Sequence, residues 1–259
     1  MTIYNNGTGL PGNLDISSHS AGSVTIGSLV GSGNVFLGAN NLTIGSNNKS
    51  TTFSGMIADG GQNGGTGGSL TKTGKGKLTL SNANTYTGGT TISKGTLIAK
   101  NKTGSVTGSG AVQVNSGTLS GTGKINGAVT VGNGSTAGAI LQPGIGTKPG
   151  TLTINNTVSF SATSAFKWNI NRVSPPVGAT LNALGVMIGN NVTFSLVETG
   201  ASVLTAGTVF TVINNMSANP ISGTFSNLSD GGTIIGSSGT AYKANYEGGT
   251  GNDLTLTVQ

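Results

Sequence analysis

Cysteine is missing from all 259 residues. That excludes disulfide staples and thiolate metal sites. Acids are scarce: Asp15, Asp59, Glu198, Asp230, Glu247 and Asp253 complete the set, and His19 is the one histidine. No acid occurs between Asp59 and Glu198. A glycosidase needs two carboxylates about 5–10 Å apart, and a lyase needs clustered carboxylates and a base, so the centre of the chain can hold neither. Strong helix formers are thin, with glutamate at two positions and arginine only at Arg172. No apolar run reaches the ~20 residues of a membrane helix. The start, "MTIYNNGTGLPGN", has neither a basic head nor an apolar core. It reads as no signal peptide, so an export address is expected outside this sequence.

Glycine is abundant, at 47 residues, without the three-residue period of collagen. Charged residues are only 7% and Val, Ile and Thr recur throughout, the reverse of a disordered composition. Short apolar pulses follow one another: "SVTIG", "NVFLG", "NLTIG", "TTFSG", "KLTLSN", "AVQVNSG" and "GTLTIN". Each alternates with period two and stops at Gly, Asn or Ser, which is the strand signal. A spacing of about 8–12 residues suits a sandwich, a barrel or a solenoid. Aromatics at 5% are few for a sandwich core. Small branched interiors with glycine corners favour a β-solenoid, in which coils stack about 4.8 Å apart.

The segment "GGSLTKTGKGKLTLSNANTYTGGTTISKGTLIAK", residues 67–100, resembles the autotransporter-associated β-strand repeat of bacterial surface proteins. The pattern lies on Leu70, Lys72, Gly74, Gly76, Leu78–Ser81, Asn84, Tyr86, Gly88–Thr90, Ile92 and Gly95–Leu97. The flanking stretches also look like passenger sequence, and residues 156–200 do so least. The resemblance implies an all-β chain: a right-handed parallel β-helix (β-solenoid), a single elongated domain with a C-terminal closing module. Residues 1–20 would be an N-terminal cap or loop. Residues 21–155 would be solenoid coils, and 156–259 further coils and the closing module. It implies display outside a bacterial cell, as an extracellular or cell-surface protein, and no particular activity. The membrane barrel of autotransporters is not in this sequence, so another export route stays open.

Sites that could carry chemistry are few. Asp15 and His19 lie four apart in "LDISSHS", among Ser17, Ser18 and Ser20, and read as a solvated loop. "GTGLPG" at 7–12 is a dinucleotide-type glycine pattern without a following helix. "TGKGK" at 73–77 lacks the spacing of a phosphate loop. "GGTGNDLTL" at 248–256 fits one calcium-binding nonapeptide, and one copy supplies half a site. Thr151–Thr153 and Thr255–Thr257 suggest an ice-binding ladder that uneven coils would spoil. No catalytic residue, metal or cofactor is expected, and the chain reads as a structural or adhesive module rather than an enzyme. A self-assembling fibre subunit, stacking end to end, is the alternative.

The positive signal is charge. Residues 60–197 carry Lys72, Lys75, Lys77, Lys94, Lys100, Lys102, Lys124, Lys148, Lys167 and Arg172 against no acid. Lys72, Lys75, Lys77 and Lys94 either form a basic strip toward a polyanionic glycan or lipopolysaccharide, or are scattered outward lysines that keep the chain soluble and block edge aggregation. A specific nucleic acid is not expected, because interleaved aromatics are missing. Within the repeat, Leu78, Leu80, Ile92 and Leu97 should point inward, Lys77, Lys94 and Lys100 outward, and Thr79 to solvent. Gly88 and Gly89 form the corner, and at least one should have positive φ.

Overall fold

The computed structural model describes residues 2–3 (backbone only), 12–20 and 22–259. Most of the "GTGLPG" pattern, and with it part of the expected cap, lies outside the described residues. Among those described, every regular element is a strand. Contacts divide the chain into two compact units. One is Met1–Leu119 with Gly123–Val129, and the other is Thr130–Gln259 with Ser120–Thr122.

In the first unit the chain visits three faces in turn, and each strand pairs in parallel with its equivalent in the next coil. One face is Ser23–Ile26, Asn41–Ile44, Ser69–Lys72, Thr90–Ile92 and Val112–Val114. The second includes Thr51–Phe53, Lys77–Leu80 and Thr96–Ala99, and the third Asn13–Asp15, Asn34–Phe36 and Ile57–Ala58. This is the stacked-coil arrangement of a β-solenoid.

Register follows from the alternation of side chains along each strand. Val24, Leu42, Leu70, Thr90 and Val112 line up in one column of the first face. Thr51, Leu78 and Leu97 line up on the second, beside Phe53, Leu80 and Ala99. Leu78, Leu80, Ile92 and Leu97 are all buried, as the alternation requires, and Lys77, Lys94 and Lys100 are exposed. Thr79 shares the outward parity but is half-buried, flanked in register by Thr52 and Ile98.

The third face loses its strand in the coil after Ile57–Ala58, where asparagine takes over the ladder. Asn84 is buried, its Oδ1 accepts from the Ile57 N–H at 2.7 Å, and its Nδ2 donates to the Val106 carbonyl. Asn101 does half of this: its Oδ1 accepts from Lys124 N–H of the next coil at 2.8 Å, while its Nδ2 donates to the Thr103 and Gly104 carbonyls of its own turn. A side-chain amide can thus complete a rung that the backbone leaves open. Tyr86 is fully buried beside it, its hydroxyl 2.6 Å from Thr90 Oγ1.

The corner expectation divides between two glycines. Gly89 has φ +92°, the left-handed region. Gly88 does not, yet a Cβ there would press into the Gly67 carbonyl of the preceding coil. One glycine is needed for its dihedral and the other for close backbone approach.

The second unit also contains parallel ladders. Ala139–Pro143 pairs with Ser164–Asn171, which pairs with Thr193–Thr199. Thr151–Ile154, Thr180–Ala183 and Val209–Asn215 form another parallel series. Pairing then becomes antiparallel through Asp253–Val258, Ala241–Gly248 and Thr233–Ile235. The core here is aromatic. Trp168 is fully buried against Phe194, Phe210 and Tyr242 at ring-centroid separations of 6.5, 5.8 and 6.1 Å. Its Nε1 donates to the Ala179 carbonyl at 2.7 Å, so its one polar atom is satisfied.

Candidate functional site

The turn from the first face to the second in unit 1 is where the repeat's lysines converge. Three successive coils make this turn through residues 45–50, 73–77 and 93–95. Their backbones stack with little room between them. Asn48 Oδ1 accepts from Lys75 N–H at 2.8 Å, Ser50 Oγ from Lys77 N–H at 3.1 Å, and the Gly76 carbonyl from Thr96 N–H at 3.2 Å. Gly74 has φ +67° and Gly95 φ +74°, and a Cβ on either would run into a carbonyl of the adjoining coil.

Lys75 and Lys77 on one coil and Lys94 on the next are all exposed at this turn. Lys49, which the sequence reading omitted, joins them from the coil before and is also exposed. The sequence did not align "GSNNKS" with "TGKGK" as equivalent turns, because the two differ in length. Among the described residues, none of these four ammonium groups takes part in an ion pair.

Lys72 does not belong to the strip, and the expectation is corrected here. It stands in register between Ile44 and Ile92, in the inward column that continues to Ile26 and Val114. Only 1% of it is exposed. Its Nζ donates to the carbonyls of Thr73 at 2.5 Å, Gly74 at 3.0 Å and Lys94 at 3.2 Å. The signal was present in the sequence: Lys72 has the same strand parity as Leu70, and Leu70 faces inward. A lysine stem covers apolar surface well, while its head needs acceptors. The carbonyls of the tight turn are those acceptors. Burial pushes the ammonium's pKa down from 10.5 to about 8, so the group remains charged at neutral pH. Lys72 therefore ties two coils together at the corner from inside.

The carboxylates are engaged elsewhere in the fold. Asp59 accepts from the N–H groups of Gly67, Gly68 and Thr87 and from Thr87 Oγ1 at 2.6 Å. Asp15 accepts from Ser17 N–H at 2.8 Å and Gln62 N–H at 2.7 Å. Hydrogen bonds from Ser17 and Gln62 hold its carboxyl below the ordinary range, and it clamps the turn. Asp253, in the calcium-type nonapeptide, accepts from Asn215 N–H at 2.8 Å and Thr250 N–H at 3.3 Å. Thr255 is buried and cannot present an ice-facing hydroxyl, and the column from Thr153 passes to Asn182 and Asn214. Among the described residues, no three of His, Asp or Glu gather as a metal site would require.

Glu198 is the most heavily bonded acid. Its carboxylate accepts from Tyr242 Oη at 2.6 Å, Ser238 N at 2.7 Å and Ser238 Oγ at 3.0 Å, with Arg172 Nε at 3.9 Å. Burial alone would raise its pKa. The hydrogen bonds from Tyr242 and Ser238, with the Arg172 charge, outweigh burial and leave it lowered. Glu198→Gln should therefore destabilise the chain by about 1–2 kcal/mol in urea titrations at pH 7. The deficit should close as the pH falls below the ordinary value of 4.5, because the wild-type carboxylate loses its advantage on protonation. An unchanged gap at pH 3 would refute this.

Comparison with protein families places the corner in context. Residues 70–99 match the passenger-associated-transport-repeat. The segment is thus similar to the repeats of autotransporter passengers, as its motif implied. The match spans Leu70 through Ala99 and so contains both the buried Lys72 and the exposed Lys75, Lys77 and Lys94. No curated protein matches the chain.

Proposed function

We propose that this chain is a non-catalytic structural or adhesive module of an exported bacterial protein, held at the cell surface or released from it. The observation that carries this reading is the passenger repeat at residues 70–99. The in-register coils of unit 1 that enclose the repeat support it. In this reading the coils wind as a right-handed β-helix and act as a stiff rod, and the antiparallel strands near the C-terminus close the stack. Repeated coils offer many weak contacts along their faces, and attachment accumulates through multivalency rather than through a deep pocket. The carboxylates support a structural role, since Asp15, Asp59, Glu198 and Asp253 all accept hydrogen bonds that secure turns or strands. Antibodies raised against the purified chain should label intact, unpermeabilised cells of the source bacterium or precipitate the protein from its medium. Deleting the coding segment should reduce attachment to surfaces while leaving growth unchanged. Labelling that requires lysed cells would defeat the reading.

A further inference from the structure

We infer that the corner formed by Lys49, Lys75, Lys77 and Lys94 is a binding site for a linear acidic polysaccharide. Three observations lead there. The lysines sit on one corner of three consecutive coils, so they rise in steps of about 4.8 Å and cover roughly 10 Å along the stack. That is comparable to a Debye length of about 8 Å at physiological salt, so the charges act as one field. A fifth cation, Lys72, is fixed beneath them with its Nζ on the corner's own carbonyls. Finally, the described acids of the same unit, Asp15 and Asp59, lie at a different turn. They bond Gln62, Gly67, Gly68 and Thr87 between the third and first faces. The repulsion among the lysines is thus left for an external anion to neutralise.

The chemistry of the corner selects the class of polymer. Residues 45–50, 73–77 and 93–95 contain no aromatic side chain on which a base could stack. They contain no arginine to grip a phosphate bidentately. Regularly stacked ammonium groups on flexible stems suit a chain with carboxylates or sulfates at regular intervals. Glycine and serine around them allow such a chain to lie close to the backbone.

This inference gives the proposed surface module its ligand class, and a binding assay on the purified chain tests it separately from cellular location. A fluorescent heparin fragment serves as probe, with anisotropy measured from low to high salt. The K75Q/K77Q/K94Q variant should bind at least about tenfold more weakly at low salt and lower the salt slope by about three. Adding K49Q should lower both further. The matched control K100Q/K102Q/K124Q removes equal charge away from this corner and should stay within threefold of wild type. K75R/K77R/K94R should retain binding, which separates charge from any loss of fold. Equal losses in the two glutamine triples would mean that net charge alone acts, and would overturn the site. Competition by neutral dextran would overturn its electrostatic basis. A single-stranded DNA of matched charge binding tenfold more tightly than heparin would overturn the polymer class.

Discussion

Gly95→Val should lower stability by about 3 kcal/mol or more, because two independent penalties meet at one atom. The first is conformational. Gly95 has φ +74°, and an L side chain in that region costs roughly 1–2 kcal/mol. The second is steric. A Cβ there would lie 2.5 Å from the Gly76 carbonyl oxygen, nearer still to that of Gly74, and 2.8 Å from Lys72 Nζ. The obstructing atoms are backbone of the adjoining coil, and that coil is held by its own ladder. Gly60→Val is the control, since Gly60 has φ +77° and open space around its Cβ position. It should cost only the conformational part, about 1–2 kcal/mol. Urea midpoints of both variants measure the difference. Equal losses would show that the corner yields and that coil-to-coil contact is not the constraint.

The second large effect is expected at Lys72. Lys72→Met keeps the apolar stem and removes the ammonium, leaving the carbonyls of Thr73, Gly74 and Lys94 without that donor. Charged hydrogen bonds contribute about 1.5–3 kcal/mol, and relief of the buried charge offsets part of several such bonds. A net loss of about 2–3 kcal/mol at pH 7 is the expected result. The pH dependence is more specific. Below about pH 8 the lysine binds its proton in both folded and unfolded chains. Between about 8 and 10.5 the unfolded chain still holds it while the folded chain releases it. Unfolding then takes up protons, so wild-type stability rises with pH across that window. The variant lacks this rise, and the gap between the two proteins should widen from pH 7.5 to 10. A gap that narrowed would mean that the carbonyls favour the charged form more strongly than burial opposes it.

Both predictions concern one corner, and they describe what a passenger repeat contributes physically. Glycine lets the coils approach to backbone contact. A buried lysine then satisfies carbonyls that this close approach would otherwise shut away from water. The exposed lysines of the same motif, Lys75, Lys77 and Lys94, make no such internal bond through Nζ among the described residues. Lys72→Met and the K75Q/K77Q/K94Q variant should therefore separate cleanly. The first should alter stability, and the second should alter retention on an acidic polymer.

Composition and alternation were enough to reach the all-β class and the inward set Leu78, Leu80, Ile92 and Leu97, while the parallel stacking was implied by the resemblance of residues 67–100 to a passenger repeat. The reason is local: strand neighbours point to opposite faces, so a run of alternating apolar residues states its own orientation. The same rule placed Lys72 inward, but a positive charge is ordinarily assigned to solvent, and only the turn's converging carbonyls reveal what neutralises that objection. Which turns share a corner was beyond the reach of the sequence, because coils of unequal length do not align by counting. Lys49 met Lys75 and Lys94 only once the ladder through Ile44, Lys72 and Ile92 was in place. The roles of Asn84 and Asn101 were hidden for a related reason. An amide that replaces a backbone rung needs a strand above or below it, and that neighbour comes from residues more than twenty positions away. Local alternation was thus written in the chain, while the company each outward or inward residue keeps was decided by stacking.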